Sequence, residues 1–553
     1  MKNFYLLFSF LFACTTYSQG YHIVKDLAAY PDNGVSGTNR ICLTEFNSKV
    51  YFIGYHNYNP SVLMKTDGTV AGTLPVIVSM SVSNQPLTAQ GEEFLVANNL
   101  LFFKSTSMYN GTIPNTDLWV TDGTVSGTHP VNTTSAHVVQ HMIGSTGTKI
   151  YYTAKQGTNE QIWVSDGTSS GTLKLTSMSF MPGYFGQGYG FSVIGEKLYF
   201  RAGASNSYPV WVTDGTLAGT ISLGVYQKNS YGVTNFVEHN GEVYFFGSSS
   251  TNQNTEFFKT NGTLSGTSLV KEIVSGFDGC YPQTLFKYNN KIYFIADQSY
   301  LSYPGLYESD GSSLGTVYID TLLLDRDFSG VHSHAILNNE LYILGGKAST
   351  GTELHKLVNN ELLLVKDINP GSTSGVSNGY YDGLEGSLHV YNNKIYFSAN
   401  DGTDAYEQLW VSDGTTSGTV KVTQSGNSQI ESAKNMLSSS IGFYFVYRTS
   451  ATATELFMLD EVPNSIAENT PKQINFTVYP NPTKDVLNIN ISTYLDVAEP
   501  TSITITNLLG ETVLTSTAIN QQSPINIQQF KSGVYFLTVT NKEKQSTQKV
   551  IIE

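Results

Sequence analysis

Apolar and polar positions alternate in short runs along most of this chain, and the runs return at a fixed spacing. Alternation of period two marks half-buried strands. The clearest runs centre on Tyr or Phe: Val50-Tyr51-Phe52, Leu101-Phe102-Phe103, Ile150-Tyr151-Tyr152, Leu198-Tyr199-Phe200, Val243-Tyr244-Phe245, Ile292-Tyr293-Phe294, Leu341-Tyr342-Ile343, Ile395-Tyr396-Phe397 and Phe443-Tyr444-Phe445. Successive centres lie 51, 49, 48, 45, 49, 49, 54 and 48 residues apart. Nine copies at such a period indicate a repeat architecture built from one supersecondary unit.

A second marker falls between the first. Leu118-Trp119-Val120-Thr121-Asp122-Gly123-Thr124-Val125-Ser126-Gly127-Thr128 returns as Ile162–Thr172, Val210–Thr220 and Leu409–Thr419, with looser copies starting at Leu63, Phe257 and Leu306. Asp-Gly between β-rich runs is a hairpin signal, because Gly adopts positive φ without steric penalty. In the sixth repeat the pattern predicts strands at Thr284–Lys287, Ile292–Ala296, Gly305–Ser309 and Thr316–Asp320. Four short antiparallel strands joined by tight turns make one blade of a β-propeller. The last repeat offers only three, at Asn435–Ser438, Phe443–Tyr447 and Glu455–Leu459. The front of the chain, Tyr21-His22-Ile23-Val24-Lys25-Asp26-Leu27, resembles the fourth strands Leu269-Val270-Lys271-Glu272-Ile273 and Leu364-Val365-Lys366-Asp367-Ile368. The missing strand is therefore expected from the N-terminus, which would remove an open sheet edge. Nine blades, eight blades with one strayed copy, and two smaller rings all fit the spacing.

The pattern changes after residue 460. Residues 461–474 are polar with two prolines, as in a linker. Residues 475–553 carry seven alternating runs, at Phe476–Tyr479, Val486–Ile491, Ser502–Asn507, Thr512–Thr515, Ile525–Ile527, Val534–Thr540 and Lys549–Ile552. Seven short strands in that length read as a small Ig-like β-sandwich. At the front, Lys2, the apolar stretch Phe4–Ala13 and the small residues Thr16 and Ser18 read as a secretory signal over residues 1–19. Leu11-Phe12-Ala13-Cys14 resembles a lipoprotein box, but Phe12 is bulky for it, so ordinary cleavage near Ser18 or Gln19 is expected. No run has the roughly 18 apolar residues of a membrane helix. The expected fold is thus all-β: a large propeller over residues 20–460, then a sandwich.

Charge excludes one class of partner. The formal net charge is −14 and no Lys/Arg cluster occurs, so nucleic acid is not an expected ligand. Outside the leader stand Cys42 and Cys280, read as buried unpaired thiols, and no Cys/His spacing suggests zinc.

The tail resembles the C-terminal sorting domain of the type IX secretion system. Four blocks carry the likeness: Tyr479-Pro480-Asn481-Pro482, Asn507-Leu508-Leu509-Gly510-Glu511-Thr512-Val513, Lys531-Ser532-Gly533-Val534-Tyr535-Phe536, and Lys549-Val550-Ile551-Ile552-Glu553. The resemblance implies a Gram-negative bacterium of the Bacteroidota and export through the periplasm across the outer membrane. It also implies contact with the type IX machinery, removal of the tail in most relatives, and residence at the cell surface or outside the cell. The repeats resemble the family named for Glu-Leu-Trp-x-x-Asp-Gly-Thr, although Asp117, Gln161, Pro209 and Gln408 stand where that Glu would be. That family implies architecture and no settled activity.

Several residue sets could carry chemistry. The turns place Asp67, Asp122, Asp166, Asp214, Asp310 and Asp413 at equivalent positions, with Asn261 in the fifth copy. Calcium is the one cofactor these turns suggest, but it takes six or more oxygens and each turn supplies one carboxylate. Asp closing its own turn is the simpler reading. Trp119, Trp163, Trp211 and Trp410 sit within third strands and read as packing between blades, not as a sugar-binding stripe. His332 and His334 share a strand face, yet His334 falls in register with core positions. Gly375-Val376-Ser377-Asn378-Gly379 matches the serine-hydrolase elbow pattern without the strand–turn–helix setting it requires.

One asymmetry points toward binding. The one–two and three–four turns are short and uniform, whereas the two–three loops and interblade connections are long and rich in Tyr. Tyr58, Tyr109, Tyr184, Tyr189, Tyr300, Tyr303, Tyr380 and Tyr381 are the candidate ligand contacts. Variable loops on a rigid scaffold commonly carry recognition, and Tyr offers a flat apolar ring with a hydroxyl. The leading reading is an exported binding module for an extracellular glycan or protein. The competing readings are a hydrolase or lyase acting on extracellular polymer, and a structural surface component. The first strands carry few acidic residues (Glu45, Glu238) and no repeated carboxylate pair of the kind glycosidases use.

Overall fold

In the computed structural model, residues 21–27, 43–56, 59–79, 84–86, 89–107, 115–131, 137–176, 190–202, 207–228, 235–249, 255–275, 279–280, 282, 284–298, 304–321, 334–376, 388–404, 406–422, 433–448, 454–460, 476–491, 501–508, 511–518, 522–541 and 544–553 are described. The signal reading and the linker reading fall outside them. The chain divides into two compact units, one ending at Asp460 and the other beginning at Glu461. No helix occurs among the described residues.

The first unit holds nine four-stranded antiparallel sheets among its described residues. The sixth is Thr284–Tyr288, Lys291–Asp297, Pro304–Ser309 and Val317–Thr321, within a residue or two of the strands the alternation predicts. Its first turn shows why the hairpin is tight. Asn289 and Asn290 have φ of 46° and 56°, and Asn tolerates this left-handed region better than other residues with a Cβ. Paired positive φ is the type I′ geometry that matches strand twist. Asn98-Asn99, Asn338-Asn339 and Asn392-Asn393 repeat it.

The ninth sheet has the order that the end-to-end resemblance anticipates. Tyr21–Ile23 pairs antiparallel with Thr454–Leu459, in the register Tyr21↔Leu459, His22↔Met458, Ile23↔Phe457. The Val24 N–H then donates to the Leu456 carbonyl at 2.9 Å. Tyr21 is buried edge-on against Phe445, Tyr447 and Phe457, with ring centroids 5.3, 5.5 and 5.7 Å away.

The core lies between sheets rather than at one centre. Phe46, Ile53 and Leu63 of the first sheet pack with Phe94, Phe103 and Trp119 of the second. Corresponding clusters join each later sheet to its successor. The ninth sheet, through Val24, Val446 and Leu456, shares a cluster with Val50, Phe52 and Val62 of the first. All four tryptophans sit in such seams, which agrees with the packing role assigned to them. A two-stranded hairpin, Ile77–Ser79 with Asn84–Pro86, lies outside the predicted pattern.

The second unit is two sheets around one core. Phe476–Tyr479, Val486–Ile491 and Gln522–Asn526 form a three-stranded sheet. Thr501–Asn507 and Gly533–Asn541 are the inner strands of a four-stranded sheet, flanked by Thr512–Ala518 and Lys544–Ile552. Leu487, Ile489, Ile503, Ile505, Leu537, Val539 and Val550 close the interior between them.

Candidate functional site

The Asp-Gly-Thr turns build one hydrogen-bonded unit, copied with little change. In the first copy, Asp67 Oδ1 accepts from the Thr69 N–H at 3.0 Å and from the Thr69 hydroxyl at 2.8 Å. Thr69 Oγ1 accepts from the Gly72 N–H at 2.9 Å. The Thr73 hydroxyl donates to the Thr69 carbonyl at 2.7 Å, and Thr66 Oγ1 accepts from the Gly68 N–H at 3.0 Å. Asp122, Asp166, Asp214 and Asp413 hold their turns in the same way. Asp310 does so through Ser312, and Asn261 uses its amide oxygen. The second glycine of each turn is required because a β-carbon there would strike the Asp or Asn side chain. These hydroxyl and N–H donors hold Asp67, Asp122, Asp214 and Asp310 below the usual carboxylate range. One carboxylate oxygen is thus committed to the turn itself. Among the described residues, no group of three or more His, Cys, Asp or Glu side chains comes together to hold a metal.

The first glycine of each turn carries an interblade function that the sequence pattern does not reveal. Gly68, Gly123, Gly167, Gly215 and Gly414 have φ between 90° and 95°, the positive values expected of them. Each also faces an aromatic side chain of the preceding sheet. A β-carbon on Gly68 would lie 2.9 Å from Tyr444 Oη, one on Gly123 3.1 Å from Tyr51 Oη, and one on Gly414 would collide with Tyr342. Lysines add a second staple. Lys25, Lys271 and Lys366, at or just past the ends of equivalent fourth strands, donate to the carbonyls of Thr73, Thr316 and Thr419, which close the turns of the following sheet, at 2.8, 2.6 and 2.7 Å. The N-terminal segment therefore makes the same outward contact as two internal fourth strands.

Buried carboxylates were missed by motif reading. Glu353 accepts backbone N–H groups from Ile368, Asn369 and Gly375 at 3.2, 3.4 and 2.7 Å. Glu256 accepts from Ile273. Both occupy the leading-Glu position of the repeat motif and clamp the chain just after its fourth strand. The signal was present in Glu-Leu and Glu-Phe at that register, but nothing local says what the carboxylate bonds. Burial pushes each up to about 7, against the opposing pull of those N–H bonds. A carboxyl raised in the folded state stabilises fully below its ordinary value of 4.5 and loses that contribution as pH rises through about 7. The turn aspartates act oppositely, losing their contribution as pH falls below 3.8. The urea midpoint is therefore expected to be higher at pH 5 than at pH 8, and Glu353→Gln should flatten that difference. An unchanged difference in the variant would sink the assignment.

The histidines, the elbow-like segment and the cysteines have plain roles. His137 stacks on Trp163 at 4.1 Å and meets the Tyr152 hydroxyl at 3.3 Å. His334 stacks on Phe286 of the preceding sheet at 3.9 Å, and burial pushes it down to about 4. His332 lies outside the described residues, so the proposed imidazole pair has only one placed member. Gly375 donates to Glu353, which gives the elbow-like segment a structural use. The Cys280 thiol is buried, free, and donates to the Thr255 carbonyl at 3.1 Å; Cys42 lies outside the described residues. All eight candidate tyrosines, Tyr58, Tyr109, Tyr184, Tyr189, Tyr300, Tyr303, Tyr380 and Tyr381, also lie outside them. On first strands, Glu238 pairs with Lys287 at 3.1 Å, and Glu45 accepts from the Ser440 N–H at 2.8 Å.

In the second unit the terminal blocks bind each other. Asn481 Nδ2 donates to the Lys549 carbonyl at 2.8 Å, and Asn481 Oδ1 accepts from the Ile551 N–H at 2.8 Å. The Thr483 N–H donates to the Ile551 carbonyl at 3.0 Å, and the Glu553 N–H donates to the Thr483 carbonyl at 2.9 Å. Tyr479-Pro480 and Asn481-Pro482 are cis. Asn507 closes the next block by bonding Glu511 through both backbone and side chain. Gly510 lies outside the described residues, and Gly533 opens its strand with room for a β-carbon.

Residues 477–553 match the secretion system C-terminal sorting domain family. Such a tail implies export to the cell surface or the extracellular space, and contact with the secretion machinery. No helix among the described residues is long and apolar enough to cross a membrane. No curated protein matches the chain. Among solved structures, the β-propeller domain of the Trilobed protease from Pyrococcus furiosus aligns at 10% identity with TM-score 0.33, covering 67% of this chain and 95% of that one. A puromycin hydrolase aligns at 10% identity and TM-score 0.31, covering 64% of this chain and 58% of its own. A prolyl endopeptidase aligns at 10% and 0.33, covering 73% and 54%. This chain spans less than two thirds of those two enzymes.

Proposed function

We propose that this protein is an exported β-propeller binding module of nine blades, closed by its N-terminal strand. Its repeats are of the Glu-Leu-Trp-x-x-Asp-Gly-Thr type, its leader is residues 1–19, and its host belongs to the Bacteroidota. The sorting-domain match at residues 477–553 is the observation that carries the export half of this reading. The shared cluster of Val24, Val50, Phe52 and Val446 and the Lys25–Thr73 staple support closure. The binding half rests on contrast. One face of each blade carries self-satisfied turns of uniform chemistry, which suit scaffolding. The two–three loops and interblade connections differ from repeat to repeat in sequence and carry the tyrosines, which suits recognition of an extended glycan or protein.

A glycan array read beside polysaccharide hydrolysis assays on the purified full chain tests the reading. Retention of a glycan without its cleavage is the expected result; cleavage without retention would favour the hydrolase alternative and defeat this one. For a retained glycan, Tyr184→Ala with Tyr189→Ala is expected to weaken binding about tenfold, equivalent to about 1.4 kcal/mol, at unchanged thermal stability. Asp166→Ala should lower stability and keep affinity. The reverse pattern would move the binding face to the Asp-Gly-Thr turns.

A further inference from the structure

The sorting domain presents an apolar patch that its own fold leaves uncovered. In its four-stranded sheet, one face supplies the core through Ile503, Ile505, Tyr535, Leu537, Val539 and Val550. The opposite face is mostly hydroxyl-bearing: Thr504 pairs with Thr515 and Thr538, and Thr538 bonds Thr547 at 2.9 Å. At one end of that face the character changes. Phe536 is 37% exposed, Val513 37% and Leu508 68%. Val534, which shares the strand face of Phe536, pairs with Ile551, and both are half-buried. Phe536 itself lies between Thr506 and Lys549, and Lys549 is exposed.

These residues come from three separated blocks of the matched sorting sequence. Other residues of the blocks have a visible duty inside the domain. Tyr535, Val550 and Ile552 are core, Asn507 and Glu511 close a turn, and Asn481 ties down the last strand. The side chains of Leu508, Val513 and Phe536 are exposed and that of Ile551 is half-buried, and the strand order, with neighbours about 5 Å apart, brings their blocks side by side. Exposed apolar surface gathered on one face marks an interaction site.

We infer that this end of the sheet is the surface by which the sorting domain docks on a protein of the secretion machinery, one that presents an apolar ridge with a carboxylate placed for Lys549. The inference rests on the export reading above and deepens it. The test is export of the full chain in its native host. Leu508→Glu and Phe536→Glu should each reduce the extracellular or surface fraction at least tenfold, with folded protein accumulating in the periplasm. Lys549→Glu should reduce it by a smaller factor. Thr504→Glu and Thr515→Glu, on the hydroxyl part of the same face, should export like wild type. Melting temperature of the purified chains checks folding. If Phe536→Glu also melts early, Leu508→Glu decides, since it sits at a turn tip and displaces no core side chain. Wild-type export of Leu508→Glu overturns the inference. So does sedimentation showing a wild-type dimer that Leu508→Glu dissociates, which would assign the patch to a second copy. Deletion of residues 477–553 separates the two readings. Export that survives deletion defeats the sorting reading itself, whereas export lost on deletion but kept in Leu508→Glu defeats only the docking surface.

Discussion

Deleting residues 21–27 is expected to destabilise the first unit by about 5 kcal/mol, seen as a large fall in urea midpoint. The strand Tyr21–Ile23 and the Val24 N–H fill one edge of the ninth sheet, and each net backbone bond contributes about 1 kcal/mol. Tyr21 and Val24 are 4% and 1% exposed, and burying side chains of this size contributes about 1.5–3 kcal/mol apiece. The deletion also removes the Lys25 bond to Thr73, so the seam between the ninth and first sheets loses a staple together with part of its core. His22→Ala provides the contrast, because its bond to Asp460 at 2.6 Å lies between two exposed side chains and should contribute little. A deletion variant that unfolds at the wild-type urea concentration would mean that the ends do not hold the unit together.

Gly414→Ala is expected to cost about 2–4 kcal/mol, well beyond Gly123→Ala at about 1–2 kcal/mol. The two glycines have nearly equal φ, 90° and 93°, so backbone strain is the same in both variants. They differ in the aromatic side chain they face. A β-carbon on Gly123 would sit 3.1 Å from Tyr51 Oη, which a small shift relieves, whereas one on Gly414 would overlap the ring of Tyr342. Tyr342 cannot easily withdraw, being 1% exposed and bonded to Glu340 at 3.1 Å. Gly195→Ala, with positive φ of 57° and open space around it, gauges strain alone. Equal denaturant midpoints for the Gly414 and Gly123 variants would remove the interblade role and leave only the turn.

Much of the first unit was legible because its repeats use local physics. Asn-Asn and Asp-Gly pairs demand positive φ, and Tyr-centred apolar triplets demand burial on both faces. Both constraints act within a few residues, so they can be read off one repeat and checked on the next. Even the pairing of the two ends was legible, because Val24-Lys25-Asp26 repeats the text of Val270-Lys271-Glu272 and Val365-Lys366-Asp367. The hairpin at Ile77–Ser79 and Asn84–Pro86 was not, since among the described residues it occurs once and its strands lack alternation.

Sequence by itself determined the strand positions, the turn chemistry, the nine-fold repetition and the sorting character of the tail, because each is written in residues close together or in text that recurs. Tertiary structure alone decided what those residues touch across sheets. Glu353 reaches N–H groups 15 to 22 positions later, Lys25 reaches a carbonyl 48 positions away, and Tyr342 sets the space available to Gly414. It also decided that Phe536 and Ile551, from separate strands, share one face. Such contacts depend on which strands lie side by side and in what register, and a shift of one residue would turn every side chain of a strand to the opposite face.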